Sequence, residues 1–227
     1  MNDFTYYYPD DRMISLIKDD YRMIQVMSRF GIPMGFGDKT IAMVCEDCKV
    51  DCETFLAIVN FLSNDFNASI DVKKLSLKSL LHYLKQSHIY FLEYCLPSIR
   101  RKLLDGIILR NSDVSFLIIR MFDEYVSAVR AHMEQEEKTL FTHIRVLLEG
   151  EKRTGTDIAV YSDSHDLVES KLKEVKNIII KYSPADANIN LLNDALFDLY
   201  KCEEELQGHC RIEDYLLIPA LKELNRI

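Results

Sequence analysis

Apolar residues return every three or four positions through most of this chain, the interval that places them on one face of a helix. Between 12 and 30 they are Met13, Ile14, Leu16, Ile17, Met23, Ile24, Met27 and Phe30, which predicts two short helices or one bent helix. Gly31, Pro33, Gly35 and Gly37 break the pattern within seven residues and predict a tight loop. Residues 38–40 suit the start of a helix running to Val44. Asp51 or Cys52 can open the next helix, whose apolar face is Phe55, Leu56, Ile58, Val59, Phe61 and Leu62 and which fades over 63–65. Residues 1–65 therefore read as a small helical domain, and the polar stretch 64–74 reads as a linker.

The remainder, 75–227, reads as four long helices. The first spans 76–104, with Pro97 expected to kink or divide it, because proline lacks the N–H that a helix interior uses. The second spans 112–149. Residues 150–156 carry two glycines and alternating charges and form a surface connection. The third helix spans 157–182, where Ser183 and Pro184 end it, and the fourth spans 190–224. Four such helices with short joints favour an antiparallel four-helix bundle, so the fold class is all-α.

Composition agrees with this and narrows the function. The chain has 227 residues, 48% of them hydrophobic, with only seven glycines and five prolines to interrupt helices. The formal charge of −8 argues against a nucleic-acid partner, which needs a basic face to replace phosphate counterions. No apolar run approaches the roughly 20 residues that cross a bilayer, and the first residues lack a basic start and apolar stretch. No membrane association and a cytoplasmic location are expected. The six cysteines are too few for a disulfide scaffold. Cys95, Cys202 and Cys210 lie in predicted helices and read as reduced, partly buried thiols. Cys45, Cys48 and Cys52 cluster, but three thiols without a fourth make a weak metal signal.

The chemistry lies in a pattern that occurs twice. His132 precedes Glu136 by four residues, and His209 precedes Glu213 by four, so each pair shares one helix face. The shift of 77 residues that carries His132 to His209 also carries His88 to His165. One such pair is commonly an ordinary surface ion pair; two pairs and two outlying histidines with a single offset point to a metal site. Each of the four long helices then carries one histidine, and the second and fourth carry the glutamates. Imidazole and carboxylate suit iron, manganese or zinc better than thiolate-preferring ions. Four histidines and two glutamates are a sensible complement for two metals, with each Glu bridging, each ion taking two histidines, and positions left for water or a diatomic ligand.

These residues, with their neighbours, resemble the hemerythrin-like di-iron proteins. The matching stretches are Ser87 and His88 with Leu96 and Pro97 beyond, His132 to Phe141, Ser164 to Asp166, and His209 to Pro219. Within that group the chain is similar to the iron-sulfur cluster repair, or repair of iron centres, family. The resemblance implies two carboxylate-bridged non-haem irons held by His88, His132, Glu136, His165, His209 and Glu213. It also implies reaction with NO or O2 in nitrosative or oxidative stress, damaged iron-sulfur proteins as partners, and a small N-terminal helical domain. A homodimer is a further expectation. The segment from Arg29 to Lys39 followed by Ile41 to Cys45 looks like that domain's glycine turn and helix, but Met34 and Gly35 stand where the family has a Cys-Cys pair. That departure keeps open a second function, a non-catalytic module that senses or stores O2, NO or iron.

Lesser candidates are assigned as follows. Glu169, four residues after His165, can coordinate or support a ligand. His82 faces away from His88, and His143 lies about 16 Å beyond His132 by helical rise, too far to share its ion. Tyr83, Tyr90, Phe91 and Tyr94 read as packing around His88, and Glu203, Glu204 and Glu205 as a solvated turn.

Overall fold

The computed structural model describes residues 5–107, 113–150 and 162–224, the last without the side chains of 162–166. All regular structure among the described residues is helical, apart from one isolated antiparallel bridge between Arg12 and Thr40. The short helices are α1 (Met13–Asp19), α2 (Met23–Arg29), α3 (Ile41–Asp47) and α4 (Cys52–Ser63), followed by a 3-10 turn at Val72–Lys74. Then come α5 (Leu77–Ile89), α6 (Leu96–Gly106), α7 (Asp113–Glu136), α8 (Thr142–Leu148), α9 (Ser162–Tyr182), α10 (Ile189–Ile212) and α11 (Ile218–Leu224). Contacts divide the chain into two compact units, one of Met1–Ser87 with Arg211–Ile227 and one of His88–Cys210.

The first unit is closed by caps and by a short side-chain ladder. Thr40 accepts from the Met43 N–H to start α3, and Asp51 accepts from the Thr54 N–H to start α4. Gly31, Gly35 and Gly37 all adopt positive φ, so the predicted loop is the kind of backbone that glycine allows. Asn60 of α4 and Asn64, the residue that caps the end of that helix, hold the segment before α1. Asn60 accepts from the Tyr7 N–H at 2.7 Å and donates to the Tyr7 carbonyl at 3.0 Å, and Asn64 treats Thr5 in the same way at 3.0 and 2.9 Å. Phe30 packs its ring against both Phe55 and Tyr83, and Phe61 meets Phe66 and Tyr215. Residues 64–74 include the buried Asn64 and the 3-10 turn, so they carry packing as well as polar surface.

The second unit contains the bundle. Leu96, Ile99 and Leu103 of α6, Ile118, Phe122, Tyr125, Val129 and Met133 of α7, Val168, Leu172, Val175 and Ile179 of α9, and Leu192, Ala195, Leu199 and Leu206 of α10 form one buried core. A Cβ on Gly106 would lie 3.1 Å from Leu192 Cδ2 and 3.2 Å from Leu191 Cβ, so the end of α6 passes close to the start of α10 and the two run antiparallel. Asn188 caps that start by accepting from the Asn190 and Leu191 N–H groups, and its own N–H donates to the Gly106 carbonyl. The third helix ends at Tyr182, where the Ser183 hydroxyl donates to the Ile179 carbonyl before Pro184. Of the expected connection at 150–156, all but Gly150 lies outside the described residues, as do 157–161 and 112.

Three long helices widen into π turns, at Tyr90–Cys95, Glu137–Phe141 and Glu213–Leu217. Pro97 sits at the start of α6 immediately after the first of them, and Pro219 follows the third in the same way. A wider turn removes the demand for the missing proline N–H and relieves its ring against the preceding carbonyl. The expected division at Pro97 takes this form, a local widening rather than a break.

Candidate metal centre

Each π turn begins within two residues of an expected metal-binding side chain. His88 lies near the end of α5, two residues before Tyr90; Glu136 closes α7; and Glu213 opens the last π turn, four residues after His209 on α10. Widened turns concentrate at functional sites because they re-aim side chains without ending the helix.

His88, Glu136, His209 and Glu213 converge, with one donor atom from each lying within 4.8 Å of all the others. All four are buried. His88 Nε2 is 3.3 Å from His209 Nε2 and 3.3 Å from Glu136 Oε2. His132, also buried, places its Nε2 3.0 Å from Glu136 Oε1. The Glu136 carboxylate thus turns one oxygen toward each of two histidines. Its two oxygens serve two different imidazoles.

The donor set fits a cation. Two ligands about 2.1 Å from one ion, at angles between octahedral and tetrahedral, are separated by roughly 3.0 to 3.4 Å, the spacing found here. Two imidazole nitrogens facing each other at 3.3 Å bring lone pairs together unless a proton or a cation lies between them. Buried carboxylates likewise need compensating positive charge.

His88 is also oriented from behind. Its Nδ1 lies 3.0 Å from Glu137 Oε1, the position from which a carboxylate accepts an Nδ1–H and leaves Nε2 facing the cluster. The Phe141 ring stacks on the imidazole at 5.2 Å between centroids, and Phe91 meets His209 edge-on at 6.1 Å. Reasoning from ligand spacing missed Glu137 and Phe141. A second glutamate directly after Glu136 was the available signal, since ligating histidines usually have a carboxylate behind them.

His165 falls on α9, but its side chain lies outside the described residues. Glu169 is exposed, as is His82, and His143 is buried but is not among the residues that converge. Of the aromatic residues near His88, Tyr83 and Phe91 are fully buried, whereas Tyr94 is exposed. Of the three glutamates expected in solvent, only Glu204 is exposed. Glu203 pairs with the buried Lys176, and Glu205 turns inward, because α10 contributes a face to the core at these positions. Cys45, Cys48 and Cys52 form no three-ligand group among the described residues. Burial, together with the neighbouring Cys52, pushes the Cys45 thiol up and keeps it protonated.

Residues 79–221 match the family model described as the hemerythrin HHE cation binding domain. The chain belongs to the hemerythrin HHE cation-binding family. The match covers more than half of the sequence and includes all six expected ligands. Over 197 residues the chain is also 22% identical to the iron-sulfur cluster repair protein ScdA of Staphylococcus haemolyticus, across 85% of this chain and 89% of that protein. The hemerythrin-like bundle and the similarity to a cluster repair protein both agree with the resemblance read from the motifs. Among the described residues, no helix is long and apolar enough to cross a membrane.

Proposed function

We propose that this hemerythrin-like domain holds two iron ions through His88, His132, Glu136, His165, His209 and Glu213, and that it binds or reacts with NO or O2 in the repair of iron-sulfur clusters. The observation that carries this reading is the Glu136 carboxylate, with Oε2 at 3.3 Å from His88 Nε2 and Oε1 at 3.0 Å from His132 Nε2. A carboxylate placed in this way can join two cation positions, one beside His88 and His209 and the other beside His132. Manganese or zinc would be accepted by the same donors. A pair of redox-active ions with open positions supplies diatomic binding and shared electron transfer. The chain supplies the rest: Glu137 fixes the His88 tautomer, Phe141 and Phe91 shield the imidazoles, and the buried carboxylates favour cations over neutral guests.

The similarity to an iron-sulfur cluster repair protein is the ground for proposing damaged iron-sulfur proteins as partners, and a cytoplasmic setting under nitrosative or oxidative stress is part of the same proposal. Anaerobic addition of NO to the reduced, iron-loaded protein tests the reactivity. An absorption change that saturates in proportion to iron is expected, and no change at full iron loading would contradict the proposal.

One observation favours a second reading, a sensing or storage module without turnover. Met34 is exposed and Gly35 follows it, where the resembling family carries two cysteines, so chemistry that depends on those thiols has no counterpart at that position. Reversible O2 uptake without consumption would select this reading.

A further inference from the structure

Two thiols of the bundle meet away from the cation cluster. Cys95 ends the first π turn, seven residues after His88, and Cys202 lies on α10, seven residues before His209. Each is about 10 Å from its histidine by helical rise. Both line one cavity of about 210 Å³, together with Tyr94, Asp198 and Lys201. Cys202 belongs to the buried core, whereas Cys95 is half-buried at its edge. Cys95 is close enough to act on the Cys202 thiol, and the Tyr125 hydroxyl lies 4.0 Å from Cys202 Sγ. Asp198 is paired with Lys102 at 2.7 Å, which offsets its charge beside the cavity.

We propose that Cys95 and Cys202 are a redox-active pair that closes to an intramolecular disulfide when it meets a small disulfide of the glutathione class. The Cys95 thiolate attacks one sulfur of the oxidant, forming a mixed disulfide as the oxidant's S–S bond breaks, and the first small thiolate leaves and takes up a proton. Cys202 then gives up its proton and attacks the Cys95 sulfur. The bond to the small thiol breaks and a second small thiol leaves. Two protein thiols lose two electrons and two protons, and one small disulfide becomes two thiols.

The order follows from position. Cys95 opens on the cavity, while the contact with Cys95, together with burial, holds the Cys202 thiol well above its usual range. Once Cys95 carries the small thiol, its sulfur stands beside Cys202 on the same cavity and is open to attack. The closed bond would join the chain beyond His88 to α10, which carries His209. The cation reading is not needed for the thiol chemistry.

The test uses the full chain, with and without metal, treated with oxidised glutathione, then alkylated and examined by intact mass and peptide mapping. Loss of about 2 Da with a Cys95–Cys202 linked peptide is expected, reversed by dithiothreitol. Cys202→Ala should instead trap one glutathione, about 305 Da, on Cys95, and Cys95→Ser should give neither product. A glutathione adduct that persists on Cys95 in the wild type would overturn the proposal, as would two freely alkylated thiols or a linkage confined to Cys45 and Cys52. The half-buried Cys95→Ser variant keeps the test decisive if Cys202→Ala fails to fold.

Discussion

Glu137 sets how the His88 imidazole is presented, through one contact of 3.0 Å to Nδ1. Removing that contact should weaken cation binding without touching a ligand. Glu137→Ala is expected to lower metal affinity about 10- to 100-fold in a chelator competition, with Glu137→Gln recovering part of the loss because its amide oxygen still accepts. Unchanged affinity would show that the imidazole is oriented by other groups. Tyr7 gives a second single-residue expectation, in the first unit. Its burial and its hydrogen bond to Asp19 push its phenol from an ordinary value near 10 up to about 12. The folded state therefore favours the protonated phenol, and this contribution is complete below pH 10 and lost as pH rises toward about 12. Denaturant titrations should show wild type losing stability relative to Tyr7→Phe over that window; parallel curves would contradict the assignment. At this scale the six candidate ligands were proposed from residue type and spacing alone, and His88, Glu136, His209 and Glu213 are the four that the structure brings together. Glu137 was not readable, because it acts through the back of another side chain, and spacing says nothing about which residue stands behind a ring.

Helices were legible as elements, but their irregularities were not. The apolar period of three or four runs through 76–104, 112–149 and 190–224 without announcing that each contains a π turn, since one widened turn moves the pattern by less than the breadth of an apolar face. Pro97 marked the place and was read as a kink or a division. The Asn60 and Asn64 ladder was likewise hidden, because two asparagines one turn apart look like ordinary polar positions until the segment before α1 lies against them. Asn60→Ala strands the Tyr7 N–H and carbonyl and should cost about 1–3 kcal/mol in denaturant unfolding. Gly106→Ala should cost a similar amount, about 1–3 kcal/mol, by forcing a methyl against Leu191 and Leu192. A change below about 0.5 kcal/mol at either position would mean that the backbone relaxes and that the contact is not needed.

For the molecule as a whole, the consequence of the cluster is that folding and cation binding are linked. Two carboxylates and two imidazoles buried within 4.8 Å of one another oppose the folded state unless positive charge lies among them. A ligand that binds only the folded form stabilises it by mass action, so a chelator should lower Tm and added metal should restore it. The all-α bundle was readable from period and from the lack of breakers; of the small helices before it, α1 and α2 were readable from period and α3 and α4 from the residues that start them. What spacing alone left open was whether the repeated histidines and glutamates converge, because four helices can share a pattern and still aim it in different directions. Metal analysis after anaerobic reconstitution tests this most directly. The account predicts about two irons per chain, lost on His132→Ala or Glu213→Ala with the helical content retained. Less than about half an iron per chain in the wild type would contradict it.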